Sequence, residues 1–479
     1  MNRSHVLAGV LCSVFMTAVE ATVVATAMPS VIADLGGVTL YGWVTAAYLL
    51  ASTVTVPLYG KLADMRGRKP VMLFGLAVFL IGSAASGAAT STLFLIGARA
   101  VQGLGAGAIG PVAITIVGDI YNIEERGRVQ GWLGGVWAIA GAAGPLVGGF
   151  FVATLSWRWV FWFNIPFGIA AFVVLWKVYH ESHADTARPM RLDWVGAASL
   201  TVASVALLVL AERRAVMVTL PLTCFTLAVF MVSQRRVQEP VIPAEFFRSR
   251  FISMTLFLGA AVGCVMLGFL TYAPLYVQGA LARSPSEAGS VVTPMLVAWP
   301  LASFLVGRNL RRLGFRLPVV VGLAVTTVGA VALAVFVPGT DAIWPWWLGS
   351  FFLGTGMGMC VVTITVAMQS SVPWNQRGAV TALGIFTRSM GSALGVGGLG
   401  ALLIARLETT LDPERIGALL AHGERGAVQI DHAAQVALAG SFGPLLWMMA
   451  AVAAASFIAA LTYRPPQVQP VVAAPVLAE

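Results

Sequence analysis

Glu20 is the one carboxylate placed deep inside an apolar stretch of this chain, the segment LAGVLCSVFMTAVEATVVATAMP at 7–29. A charge held at bilayer depth costs at least about 2.5–3.5 kcal/mol, so such a residue is a functional-site hypothesis by default. A buried carboxyl keeps or releases a proton according to its surroundings, which is what a proton carrier requires. A neutral, hydrogen-bonded structural acid is the alternative reading. Two cations share the apolar surroundings. Arg99 opens the string Arg99-Ala-Val-Gln102-Gly103-Leu-Gly105, where it serves proton coupling or cavity electrostatics, or else caps carbonyls or snorkels. Arg388 is the other, and an intramembrane cation normally finds an acid or carbonyls. A fourth candidate, Asp64, sits among cations and two glycines in GKLADMRGRKP (60–70).

Several attractive patterns carry no chemistry. Gly105-Ala-Gly107-Ala-Ile-Gly110 spells a dinucleotide fingerprint, yet no strand precedes it and the stretch is apolar. His180-Glu-Ser-His183, with Asp185, lacks zinc-protease spacing and reads as a solvated turn. No phosphate-binding G-x-x-x-x-G-K-[ST] loop occurs, which argues against ATP as the direct energy source. All five histidines lie at or beyond the ends of apolar segments and no nucleophile–base pair is visible, so an enzyme is disfavoured. Metals and cofactors are not called for.

The elements that must position these residues are membrane helices. Of 479 residues, 58% are hydrophobic and 10% charged, against roughly 25% charged in soluble domains. Fourteen stretches are long enough to cross about 30 Å of hydrocarbon: 6–29, 41–60, 70–90, 93–118, 128–154, 159–178, 195–211, 215–233, 251–278, 289–307, 318–337, 343–368, 380–404 and 441–463. With the N-terminus inside, 20 of the 29 Lys and Arg fall in inner segments, 7 in outer ones and 2 within spans. That bias places both termini in the cytoplasm of a cell-membrane protein. The net charge of +9 therefore reflects topology and anionic lipid, and implies no nucleic-acid partner. The four cysteines sit in spans without metal-ligand spacing and read as packing residues.

The chain repeats itself. VAITIVGDIYNIEERG (112–127) aligns with VTITVAMQSSVPWNQRG (362–378), and Gly141–Gly148 with Gly391–Gly398. GKLADMRGRKP (60–70) aligns with GRNLRRLGFRL (307–317), which pairs Gly60 with Gly307, Gly67 with Gly314 and Asp64 with Arg311. Ala138 occupies the place of Arg388. Two parallel six-helix halves follow, with two extra helices between them and a substrate site expected near the midplane. The expected domains are 1–180, a linker pair at 181–250, the second half at 251–463 and a tail at 464–479. The linker pair should pack outside the core. The series Gly134, Gly141, Gly144-Pro145, Gly148-Gly149 is expected to give the fifth helix one face without side chains, loosened at Pro145.

With these motifs the chain resembles the major facilitator superfamily. GKLADMRGRK resembles its G-x-x-x-D-R-x-G-R-[RK] loop signature, departing only at Met65. Arg99 and the Gly144-Pro145 motif are similar to signatures of its drug:proton antiporters, and fourteen spans with SWRWVFWFNIPFG (156–168) resemble the fourteen-helix branch. That branch usually has Asp before [ST]-[IV]-V, where this chain has Glu20 before Ala-Thr-Val-Val. The resemblance implies an inner gate of Gly60, Asp64, Gly67, Arg68 and Asp119, and an antiporter motif of Gly141, Gly144, Pro145, Gly148 and Gly149. It also implies a proton-driven exporter of hydrophobic or amphipathic compounds, acting as a monomer. An apolar cavity with one acid suits apolar cargo bearing one positive charge, which would compete with the proton for Glu20. Export of a lipid or specific metabolite is the second reading. Candidate cavity residues are Trp43, Trp137, Tyr272, Tyr276, Trp299, Phe386 and Arg388. The outer segment 405–440 has no assignable role.

Overall fold

A computed structural model describes residues 2–36, 40–181, 193–211, 216–237, 240, 242–412 and 432–465. Among these residues the chain is helical, with no strand. In hydrocarbon every backbone N–H and C=O must be satisfied within the segment, so long apolar sequences fold as helices. The first six are α1 (Arg3–Leu35), α2 (Tyr41–Arg66), α3 (Arg68–Gly87), α4 (Thr92–Ile120), α5 (Ile123–Thr154) and α6 (Asn164–Val178). Next come α7 (Trp194–Ala211) and α8 (Val216–Arg236). The last six are α9 (Arg250–Gly279), α10 (Thr293–Leu313), α11 (Arg316–Phe336), α12 (Trp344–Ser370), α13 (Arg377–Leu407) and α14 (His432–Leu461).

Among the described residues helices lie on the fourteen expected stretches, but twelve spans are long and apolar enough to cross a membrane, so the expected count of fourteen membrane helices is not confirmed. Helix α2 falls short because its apolar run is diluted by Tyr, Thr, Ser, Gly and Pro, and α7 counts with a shorter described stretch, Trp194–Leu207, although its sequence is apolar through Ala211. Within the outer segment 405–440, α13 extends to Leu407 and α14 covers the part from His432, and residues 413–431 lie outside the described residues.

Helix starts follow local chemistry. Ser91 caps α4 by accepting from Phe94 N, and Asn122 with Glu125 forms a reciprocal capping box on α5. Gly67 and Gly314, partners in the repeat, both adopt left-handed φ (96° and 66°) and turn the chain from α2 to α3 and from α10 to α11. A side chain is strained in that conformation, which explains glycine at both places.

Packing groups α1–α6 together and α9–α14 together. The two most extensive contacts between the groups are α2 against α13 and α5 against α10, with smaller ones of α4 against α13 and α5 against α12. The two most extensive are repeat-equivalent, since α2 corresponds to α10 and α5 to α13. The hairpin α7–α8 packs mainly on itself, and α7 lies against the flanks of α2 and α13.

Candidate functional site: a buried ion pair and a charged closure between the halves

The first site lies within the N-terminal group of helices. Glu20 on α1 faces Arg99 on α4 and Asn164 at the start of α6, and each is about 1% exposed. Arg99 Nη1 donates to Glu20 Oε1, and Asn164 Nδ2 donates to Oε2. Arg99 Nη1 also donates to Gln102 Oε1 (2.6 Å), one turn along the same helix. Gln102 Nε2 and Asn164 Nδ2 reach Ser83 Oγ at 3.2 and 3.4 Å, and Ser83 donates to Phe161 O at 2.8 Å. The guanidinium lies 4.3 Å from the Tyr48 ring centre, within cation–π range. Removing one member of such a buried pair typically costs 3–5 kcal/mol, because the other charge is left uncompensated. One acceptor of the cluster, Asn164 Oδ1, is buried without a partner.

Their charge within apolar stretches brought Glu20 and Arg99 forward as candidates, and the structure places them together. It adds Asn164, Gln102, Ser83 and Tyr48. Asn164 and Gln102 lie inside the motifs SWRWVFWFNIPFG and Arg99–Gly105, yet nothing local says that either points at Glu20. Glycines hold α5 against the Glu20 helix. A Cβ at Gly144 would collide with Thr22 Oγ1 and one at Gly148 with Thr26 Oγ1, both on α1. Gly134 and Gly141 face Pro300 and Leu296 on α10 instead, and Gly149 meets nothing. The expected single smooth face is therefore two, one for each neighbouring helix. Helix α5 also runs continuously through position 145.

The second site joins the two groups of helices at the side carrying the N-terminus. Asp64, near the end of α2, accepts from Gly378 N (2.8 Å) and Ala379 N (2.7 Å). Those amides open α13, so a carboxylate of one half caps a helix of the other. Arg68 is fully buried and binds Asp64 at 3.0 Å, Asp119 at 3.0 Å and Trp374 O at 2.7 Å. Its guanidinium stacks 3.6 Å from the Trp374 ring centre. Arg377 pairs with Asp119 at 3.3 Å. Helix approach is close here: a Cβ at Gly60 would collide with Ala382 and stand 2.6 Å from Gly378 O. Gly60, Asp64, Gly67, Arg68 and Asp119 are thus one assembly, to which Trp374, Arg377 and Glu181 belong although sequence did not nominate them. Glu181 is no solvated turn residue. Its carboxylate accepts from Arg68 N at 2.8 and 3.0 Å and caps α3. His180 is exposed, while His183 and Asp185 fall outside the described residues.

On the opposite side, the Trp157 indole N–H (3.0 Å) and the Arg158 guanidinium (2.8 Å) donate to Asp34. They hold its carboxyl below the usual range.

Two cavity candidates are corrected. Tyr276 is 4% exposed and packed against Trp346 and Phe442, and Phe386 is 8% exposed in a cluster with Met390 and Val56. Aromatic side chains of such area are drawn into helix interfaces, and sequence alone does not distinguish these from a cavity wall. Trp43 and Trp137 are about half exposed. Tyr272 and Trp299 are partly buried, with Tyr272 Oη donating to Val396 O at 2.7 Å. Arg388 is partly accessible.

Two pseudo-equivalent helix groups joined face to face, with a buried ion pair inside the first of them, define a secondary transporter architecture. The Major Facilitator Superfamily profile matches residues 10–396, and the chain belongs to that superfamily. It is 31% identical over 417 residues to the "Multidrug transporter protein MdtP" of Bacillus subtilis, covering 85% of this chain and 76% of that one. It is 33% identical over 407 residues to "Multidrug resistance protein 3" of the same organism, covering 82% and 78%. Among solved structures it resembles the human organic anion transporter MFSD10 (TM-score 0.67, 16% identity, 96% of this chain and 100% of that one). The proton:xylose symporter XylE is similar too (TM-score 0.64, 12% identity, 97% and 96%), and both likenesses concern the fold.

Proposed function

We propose that the protein exports hydrophobic or amphipathic compounds across the cell membrane in exchange for protons, by alternating access between its two halves. The halves are residues 1–180 and 251–463, 181–250 forms a linker, and both termini face the cytoplasm. Glu20 carries the proton. The observation behind this is the Glu20 cluster: an ionisable carboxylate sealed from solvent, paired with Arg99, beside an acceptor with no partner. In this conformation the carboxylate is satisfied as an anion by Arg99 and Asn164. Protonation cancels its charge. Rotation of the Asn164 amide then lets Oδ1 accept from the new O–H, while Arg99 keeps Gln102 Oε1 and Val44 O. Because the cluster is sealed here, proton exchange requires another arrangement of the halves, which links proton movement to alternation.

The Asp64–Arg68–Asp119 assembly is the inner gate in this reading, closed in the present state. The names of the bacillary relatives support multidrug efflux as the activity.

Glu20→Gln keeps size and hydrogen-bonding capacity but removes titration. In proteoliposomes with an imposed pH gradient, this variant should lose gradient-driven export by more than about tenfold while still folding and inserting. Near-normal export would show Glu20 to be a structural acid.

A further inference from the structure

Arg388 is not explained by packing. The midpoint of α13 falls at Ser392, one turn from Arg388, so the guanidinium belongs to the middle of a membrane helix. A cation there costs about 2.5–3.5 kcal/mol on the most lenient scale, and such residues normally pair with an acid or with carbonyls. Among the described residues none pairs with this guanidinium or accepts a hydrogen bond from it. The side chain is half-buried, on a helix packed against α2 and α9.

The helix is committed to neighbours on either side. Gly378 and Ala382 press on Gly60 of α2, while Gly391 and Gly395 press on Ala260 and Cys264 of α9. The Arg388 carbonyl lies against Gly263. The fold does not require a cation here, since the repeat has Ala138 at the equivalent position.

The charge balance of the interior points the same way. Sequence alone suggested cationic cargo competing for Glu20, but in the structure that acid is neutralised by Arg99 and sealed. The charge left unmatched is positive. A planar guanidinium offers a fork of donors that fits a carboxylate or sulfonate with two parallel hydrogen bonds.

We propose that Arg388 is a cargo-binding residue and that the cargo class is an amphipathic anion, its acidic group on the guanidinium and its apolar body in the cavity between the halves. This rests on the transport reading above and names the substrate class of that transporter.

The test separates the two. Full-length purified protein is examined for equilibrium binding of a lipophilic anion, anilinonaphthalene sulfonate, and a lipophilic cation, tetraphenylphosphonium, without any gradient. The expected result is saturable anion binding that weakens about tenfold or more in Arg388→Gln, is largely retained in Arg388→Lys, and competes poorly with the cation. Thermal melting of both variants verifies folding. Unchanged anion binding in Arg388→Gln, or a wild-type preference for the cation, overturns the proposal. So does equal loss in the Lys and Gln variants, because that indicates a shape effect. A pH-gradient transport assay with the same probes reads the parent hypothesis separately. Absent transport with Arg388-dependent binding would sink proton-driven export and leave the anion site standing.

Discussion

The two largest contacts between the helix groups are related by the repeat but differ in chemistry. In one, Gly60 of α2 lies on Gly378 of α13; in the other, Gly307 of α10 lies on Gly127 of α5. Gly60 corresponds to Gly307 and Gly378 to Gly127, so the backbone geometry is shared. What differs is who satisfies the helix start beside each glycine. Helix α5 caps itself: Asn122 accepts from Glu125 N at 2.9 Å, and the Glu125 carboxylate accepts from Asn122 N at 3.0 Å. Helix α13 has no side-chain cap of its own and takes Asp64 from the other half. Where Asp64 would be in the second contact stands Arg311, which is exposed. One contact thus stores charge-assisted hydrogen bonds that exist only while the halves are closed, and the other is chiefly close packing. The duplicated geometry carries a carboxylate cap from the opposite half on one side and a self-capped helix start on the other.

The largest expected effect comes from Asp64→Asn. It removes one member of a buried ion pair and sets an amide N–H₂ against one of the two backbone donors, for a loss of about 3 kcal/mol in the closed arrangement. Amide exchange at Gly378 and Ala379 should speed up by roughly 100-fold, and export should fall with normal membrane insertion. Unaltered exchange would reduce Asp64 to a topological charge.

Gly60→Ala and Gly307→Ala should each weaken closure by about 1–3 kcal/mol, because each Cβ meets opposing backbone rather than a flexible side chain. The comparison predicts similar sizes for the two, read as loss of protection at residues 374–379. A large effect at one glycine only would break the equivalence. Arg311→Gln should matter least, under about 1 kcal/mol, as befits an exposed charge. A transport loss approaching that of Asp64→Asn would mean that the second contact is also a charged gate.

Sequence alone determined a good deal. Span length, charge bias and repeat offset are properties read along the chain, so the helices and the superfamily were legible without coordinates. Glu20, Arg99 and Arg388 stood out because a charge in an apolar stretch is conspicuous wherever it points. Asp64 and Arg68 stood out because they form a dense local motif. Tertiary structure decided the partners. Asn164 is unremarkable in an aromatic stretch until α6 carries it to Glu20, 144 positions away. Glu181 looks like a solvated turn until its carboxylate meets the first amide of α3. Tyr276 and Phe386 look like cavity walls until packing buries them. The reason is common to all of these: a hydrogen bond or an aromatic contact depends on position in space, and residues hundreds of positions apart become neighbours only when helices cross. That Glu20 is paired with Arg99 while Arg388 has no partner among the described residues is of this kind, and it is the ground on which an anionic cargo is proposed.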